Sequence, residues 1–159
     1  MVRTMVWKII MDKLVQLTRI AFSSTFSFYV KTHSFHWNVE GSDFYEYHKL
    51  FEEIYNEVYE SIDPFAENVR KLNAYMPTSY HNLSMLTKIE DEDRVPSKDD
   101  MVKELIIDSE KLLIILKKNY DAAEGEGEHG LSNFLAERMD AHKKHLWFLR
   151  ASLSKDARL

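Results

Sequence analysis

The 159-residue chain has no cysteine, four glycines, three prolines and no long uninterrupted apolar run. Without thiols there is no disulfide scaffold, no thiolate zinc site and no iron–sulfur cluster. So little Gly and Pro argues against a turn-rich β-sandwich. No stretch approaches the roughly 20 apolar residues of a membrane span. The segment Met1 to Met11 is interrupted by Arg3 and Lys8, and no small-residue cleavage site follows it. Neither a signal peptide nor an anchor is expected, and the expectation is a cytoplasmic protein. Cations are also in the minority: 21 Lys and Arg against 26 Asp and Glu give a net charge of −5. That balance argues against a surface that grips nucleic acid over its whole extent.

What is present suits one compact domain over residues 1–159. Hydrophobic residues make up 45% of the chain, which argues against disorder. With sulfur absent, seven histidines and the acidic residues are the available metal ligands. Four long helical patterns follow one another, with no internal repeat. The first covers about Val6–Asn38 and stops at Gly41, with Ser42 or Asp43 placed to cap the next. The second covers about Phe44–Ala74 and ends before Met76-Pro77, and a single short turn is expected around Tyr80–Leu86. Ser97 with Asp100 forms a capping pattern for a third helix over about Lys98–Ala123. A glycine loop, Gly125 to Gly130, precedes a fourth helix over about Leu131–Ser154. The expected fold is all-α, a four-helix bundle with a long crossover between helices two and three.

Helix two separates into faces at 100° per residue. Phe51, Ile54, Tyr55, Val58, Ile62, Phe65 and Val69 form the core stripe. His48, Glu52, Asp63 and Glu67 form a second stripe with Tyr59, Ala66 and Arg70. That second stripe is either a solvated face or a metal site. His48/Glu52 and Asp63/Glu67 are each i,i+4 pairs, but about 22 Å of helix lies between them, so one chain cannot bring both pairs to one ion. Two copies of helix two, antiparallel about a two-fold axis, would place one pair opposite the other and give two equivalent sites.

The string His36-Trp37-Asn38-Val39-x-Gly41-x-x-Phe44-x-x-x-His48-x-x-x-Glu52, followed by Asp63-x-x-x-Glu67, resembles the signature of the Dps family. These are the mini-ferritins named for DNA-binding proteins from starved cells. His145-Leu146-Trp147-Phe148 resembles that family's closing segment. The resemblance implies a ferritin-like bundle and an intersubunit ferroxidase site of His36, His48, Glu52, Asp63 and Glu67. Asp63 and Glu67 would hold the better-occupied iron with His36 of the partner chain, and His48 and Glu52 a weaker position. It further implies iron oxidation by hydrogen peroxide and storage of the product in a hollow homododecamer; by affinity alone zinc would bind such ligands more tightly and is a possible surrogate. Two departures stand out. Glu52 occupies a position where the family usually has Asp. Pro64 lies inside helix two, where it kinks the helix or, with Asp63 as cap, starts a new one and aims Asp63 at backbone.

The family's name also suggests nucleoid DNA binding, but a tail with few cations predicts it to be weak or absent. Arg3, Lys8 and Lys13 stand near one end, and Arg150, Lys155 and Arg158 near the other. The pairs His33/His36 and His142/His145 are either surface chelators or unliganded helix histidines. Glu126-x-x-His129 matches a di-iron motif but lies in a glycine loop, which gives an intrabundle di-iron site poor support. Asp121, Glu124, Glu126 and Glu128 are either a cation portal at a three-fold axis of the shell or an ordinary solvated loop.

Overall fold

The computed structural model describes the backbone of residues 2–153 and the side chains of 11–153. The cations Arg3, Lys8, Lys155 and Arg158 and the expected helix end at Ser154 fall outside those limits. Six helices follow in order: α1 Val2–Asn38, α2 Phe44–Glu60, α3 Ile62–Lys71, α4 Tyr80–Leu86, α5 Lys98–Gly125 and α6 His129–Ser152. Among the described residues there is no strand, and no helix is long and apolar enough to cross a membrane. The bundle is formed by α1, α2 with α3, α5 and α6.

The expected second helix is cut at Ser61, and the cause is local. Pro64 has no N–H to offer the Glu60 carbonyl. The Ser61 hydroxyl donates back to the Val58 carbonyl at 2.6 Å, and the Ser61 N–H reaches the same carbonyl at 3.1 Å, tightening the last turn of α2. The ladder resumes when the Phe65 N–H donates to Ser61 O at 3.0 Å. One continuous helix over 44–74 is therefore corrected to two. The second ends at Lys71, earlier than expected, because Asn73 turns to a left-handed φ of 60°. The core stripe persists across the break. Phe51, Ile54, Val58, Phe65 and Val69 are buried, whereas Tyr55 and Ile62 are half-buried.

Two apolar clusters fill the bundle. One joins Phe28, Phe35, Phe51, Ile54, Leu105 and Leu112. The other joins Leu14, Phe22, Phe65, Val69, Leu116 and Leu135. The crossover from α3 to α5 is pinned to α1 by the Lys88 N–H donating to Ser24 Oγ at 3.1 Å and by burial of Ile89. Ser97 caps α5 as its spacing predicts: Oγ accepts from the Asp100 N–H at 3.2 Å and donates to Asp100 Oδ2 at 2.7 Å. Asp43 is the residue before α2, but its side chain makes no capping bond and instead lies 3.5 Å from Lys98 Nζ. At the α5–α6 turn, Gly127 supplies a φ of +72° and the Glu128 N–H closes on Ala123 O at 2.9 Å. That tight turn lets α5 run to Gly125 and α6 begin at His129, leaving a shorter loop than the glycines suggest.

Candidate metal centre

The turn from α1 to α2 sets the first half of the candidate site. Val39 is buried, Gly41 takes a φ of +99° and Asp43 one of 60°, so the chain reverses within five residues. His36 at the end of α1 and His48 in α2 then stack, with ring centroids 3.7 Å apart and planes at 23°. Each ring's Nδ1 lies against the other residue's backbone carbonyl: His36 Nδ1 to His48 O at 2.8 Å, and His48 Nδ1 to His36 O at 2.9 Å. A carbonyl only accepts, so both Nδ1 atoms carry the proton, and in the neutral rings both Nε2 atoms keep a lone pair. A carbonyl holding the remote ring nitrogen is how a metal-binding imidazole is fixed in its ligating tautomer. The pair therefore fits a metal ion.

Glu52 follows His48 by one turn, and its carboxylate accepts from Lys49 Nζ on the same helix. That bond, together with the fields of His36 and His48, holds its carboxyl below the usual range. Asp63 and Glu67 lie on α3, exposed, and neither side chain makes a hydrogen bond or ion pair with a described residue. Asp63 is the second residue of α3, and no side chain caps that helix. The alternative in which Asp63 turns to backbone is not adopted. Among the described residues of one chain, no three His, Asp or Glu side chains converge as a metal cluster. The structure brings His36 and His48 together, sets Glu52 one turn along α2 from His48, and leaves Asp63 and Glu67 on α3.

Aromatic rings run beside this face. His33 stacks on Tyr55 at 3.9 Å and 18°, and its Nδ1 lies 3.2 Å from Tyr29 Oη. Tyr55 meets His36 edge-on at 5.1 Å, Tyr29 lies 5.3 Å from Tyr59, and Trp37 packs 4.3 Å from His33. The His33 ring is engaged by these tyrosines through Nδ1 and one face, and it lies 6.0 Å from the His36 ring.

The second helical pair, His142 and His145, is not at the surface at all; both are buried in the bundle. His145 Nε2 lies 3.2 Å from Glu57 Oε2, and Arg138 donates to both Glu57 oxygens, with Nη2–Oε2 at 2.9 Å. Burial pushes the Glu57 carboxyl up, but the bonds from Arg138 and His145 outweigh it and hold it well below the carboxylate range. His142 makes no hydrogen bond through either ring nitrogen and packs edge-on to Phe28 at 5.4 Å. Burial drives its pKa well down, helped by the charges of His145 and Arg138. A guanidinium thus occupies the carboxylate inside the bundle, where an intrabundle metal would need it. Glu57 and Arg138 escaped sequence reasoning. The available signal was the spacing of Arg138, His142 and His145 along one face with buried Leu135, Leu146 and Leu149.

Two of the four acids near the α5–α6 turn are already engaged. Asp121 pairs with Lys117 Nζ at 2.6 and 2.7 Å, and Glu124 accepts from Ser132 Oγ and lies 3.5 Å from His129 Nδ1.

Residues 18–159 match the ferritin-like domain family. A low temperature-induced protein of Nostoc sp. is 37% identical over 77% of this chain and 69% of its own length. A DNA protection during starvation protein of Helicobacter pylori is 30% identical over 79% of this chain and 88% of its own. Among solved structures, a Dps protein of Bacillus brevis superposes with TM-score 0.87 at 28% identity, covering 91% of this chain and 97% of that one. A Dps protein of Vibrio cholerae, described as belonging to the ferritin-like diiron-carboxylate proteins, gives TM-score 0.86 at 26% identity over 91% of both chains. The stacked histidines, the kinked second helix and these likenesses converge: the chain belongs to the ferritin-like family and, within it, to the Dps proteins.

Proposed function

We propose that this chain is a ferroxidase whose site is shared between two copies. The observation that carries the reading is the reciprocal bonding of His36 and His48, which leaves two Nε2 lone pairs at one end of the α2–α3 face. Asp63 and Glu67, unengaged at the other end, supply the carboxylates when a second α2–α3 unit lies antiparallel across a two-fold axis. Iron is the substrate. Imidazole and carboxylate together accept Fe(II), and carboxylate oxygen stabilises the harder Fe(III) that forms. His36, His48, Asp63 and Glu67 bind and orient the metal, and Glu52 joins when Lys49 releases it.

The oxidant in this proposal is hydrogen peroxide. Two Fe(II) give it two electrons, two protons are taken up, and two waters and two Fe(III) result, with no hydroxyl radical released. Twelve copies in a hollow shell would store the ferric product in the cytoplasm. DNA compaction is not part of the proposal, because the terminal segments carry few cations for phosphate. The test is anaerobic Fe(II) oxidation by peroxide followed by absorbance. Asp63→Ala or Glu67→Ala should abolish the fast phase while the assembly persists on size exclusion. Unchanged kinetics in both would overturn the assignment.

A further inference from the structure

The face between the two half-sites is bridged by redox-active rings. From His36 the sequence of centroids is Tyr55 at 5.1 Å, then Tyr29 at 6.3 Å from Tyr55, then Tyr59 at 5.3 Å from Tyr29. Tyr59 stands one turn before Asp63 in the chain. Every gap is a short one for electron tunnelling. One member of the chain has a built-in route for its proton: Tyr29 Oη lies 3.2 Å from His33 Nδ1, to which it donates when His33 carries its proton on Nε2, and the His33 ring is itself held by stacking on Tyr55. A phenol loses an electron readily only if its proton can leave at the same time, and an imidazole nitrogen already hydrogen-bonded to it is the acceptor that permits this. Partial burial and the neighbouring Tyr59 and Tyr55 keep the Tyr29 phenol protonated beyond its ordinary range. Simple deprotonation therefore does not compete with coupled loss of proton and electron.

We infer that Tyr29, with His33 as its proton acceptor, is a reserve electron donor for the candidate metal centre. The inference rests on the ferroxidase reading above and says where the second electron comes from when a site holds one iron. Peroxide needs two electrons, and one Fe(II) supplies one. Tyr29 supplies the other through Tyr55, its proton crosses to His33 Nδ1, and peroxide is reduced to two waters. The balance is Fe(II), phenol, neutral His33, H2O2 and two H+ giving Fe(III), phenoxyl radical, protonated His33 and two H2O. A later Fe(II) returns the electron, His33 returns the proton, and the phenol is restored. The weak half-site can then be empty without a one-electron reduction of peroxide to hydroxyl radical.

The test uses the assembled protein with one Fe(II) per site, mixed anaerobically with peroxide and freeze-quenched for electron paramagnetic resonance. A tyrosyl signal is expected in the parent and should be lost in Tyr29→Phe, with a reduced yield in His33→Leu. With two Fe(II) per site, Tyr29→Phe should oxidise iron at the parent rate. An undiminished signal in Tyr29→Phe, or no tyrosyl signal in the parent while its single iron is oxidised, overturns the inference. If the parent does not oxidise iron, the ferroxidase reading fails instead. A second measurement stands apart from iron: flash oxidation of the metal-free protein by photogenerated ruthenium(III) tris-bipyridine. A fast phase slowed in D2O is expected, absent in both Tyr29→Phe and His33→Leu; its persistence in both variants removes the proton-coupled pair.

Discussion

Arg138 on α6 grips the carboxylate of Glu57 on α2 with both terminal nitrogens, the second at 2.9 Å, and His145 adds a third contact to the same group at 3.2 Å. This is a charged tie between α2 and α6, and a second buried pair, Lys31 with Asp108 at 2.7 Å, ties α1 to α5. Glu57 retains 38% of its side-chain exposure, so its attraction to Arg138 is partly screened, whereas Arg138 at 8% is not rehydrated if its partner is lost.

Arg138→Met should therefore cost less than Glu57→Leu. The first leaves a carboxylate that still reaches water and His145. The second leaves a buried guanidinium alone. For Glu57→Leu we expect a loss of about 2 kcal/mol or more in urea unfolding, the lower end for truncating one partner of a hydrogen-bonded charge pair. Equal stability of the two variants would show that the tie contributes packing and not charge pairing.

His142 predicts a pH dependence of the opposite kind. Its folded pKa lies well below the ordinary 6.5, so below that value the unfolded chain binds a proton the folded chain refuses. Stability is then flat above about pH 6.5 and falls as pH drops below it, by about 1.4 kcal/mol per unit for one proton. His33, lowered by partial burial and by His36, adds to the same slope. Glu57 acts in a separate window, since a depressed carboxyl costs stability only as pH falls below its ordinary 4.5. His142→Phe should flatten the decline between pH 6.5 and 5 in urea unfolding with chelator present. An unchanged slope would place the uptake elsewhere.

Much of this architecture was legible in the sequence, and the exceptions have physical causes. The buried positions Phe51, Ile54, Val58, Phe65 and Val69 follow from period alone, because one face of a helix must leave water. Pro64 marked the break, but its place at Ser61 was set by a hydroxyl returning to Val58, a choice among backbone bonds that spacing does not encode. The five candidate ligands were named from a motif and its spacing, and the fixed rise of a helix is what argues for a second chain. The tautomer of His36 and His48 was not, because it depends on which carbonyls the Gly41 turn presents. Nor was Glu57, one acidic residue among many on α2 until Arg138 and His145 approach from 81 and 88 positions away.

In the proposed site Lys49 would compete with metal for Glu52, because its ammonium holds that carboxylate. Lys49→Met should strengthen Fe(II) binding at the His48 and Glu52 position by about two- to fivefold, the range of an exposed ion pair. Anaerobic titration with Fe(II) measures this directly. Weaker binding in the variant would mean that Lys49 positions Glu52 for the metal and does not withhold it.

A site shared between two copies, as proposed, makes a prediction that a site within one chain cannot. His48→Ala and Asp63→Ala should each impair iron oxidation when expressed alone, since every site then lacks one ligand. Co-assembled, a mixed dimer has one site with both substitutions and one with neither, because each site draws His48 from one copy and Asp63 from the other. With random pairing half the dimers are mixed, so about a quarter of the sites are intact and about a quarter of the parent's fast oxidation should return. Mixing the two preassembled variants without exchange supplies the control and should return none. If both ligands served one site within one chain, every site in the mixture would still carry a substitution, and co-assembly would restore nothing.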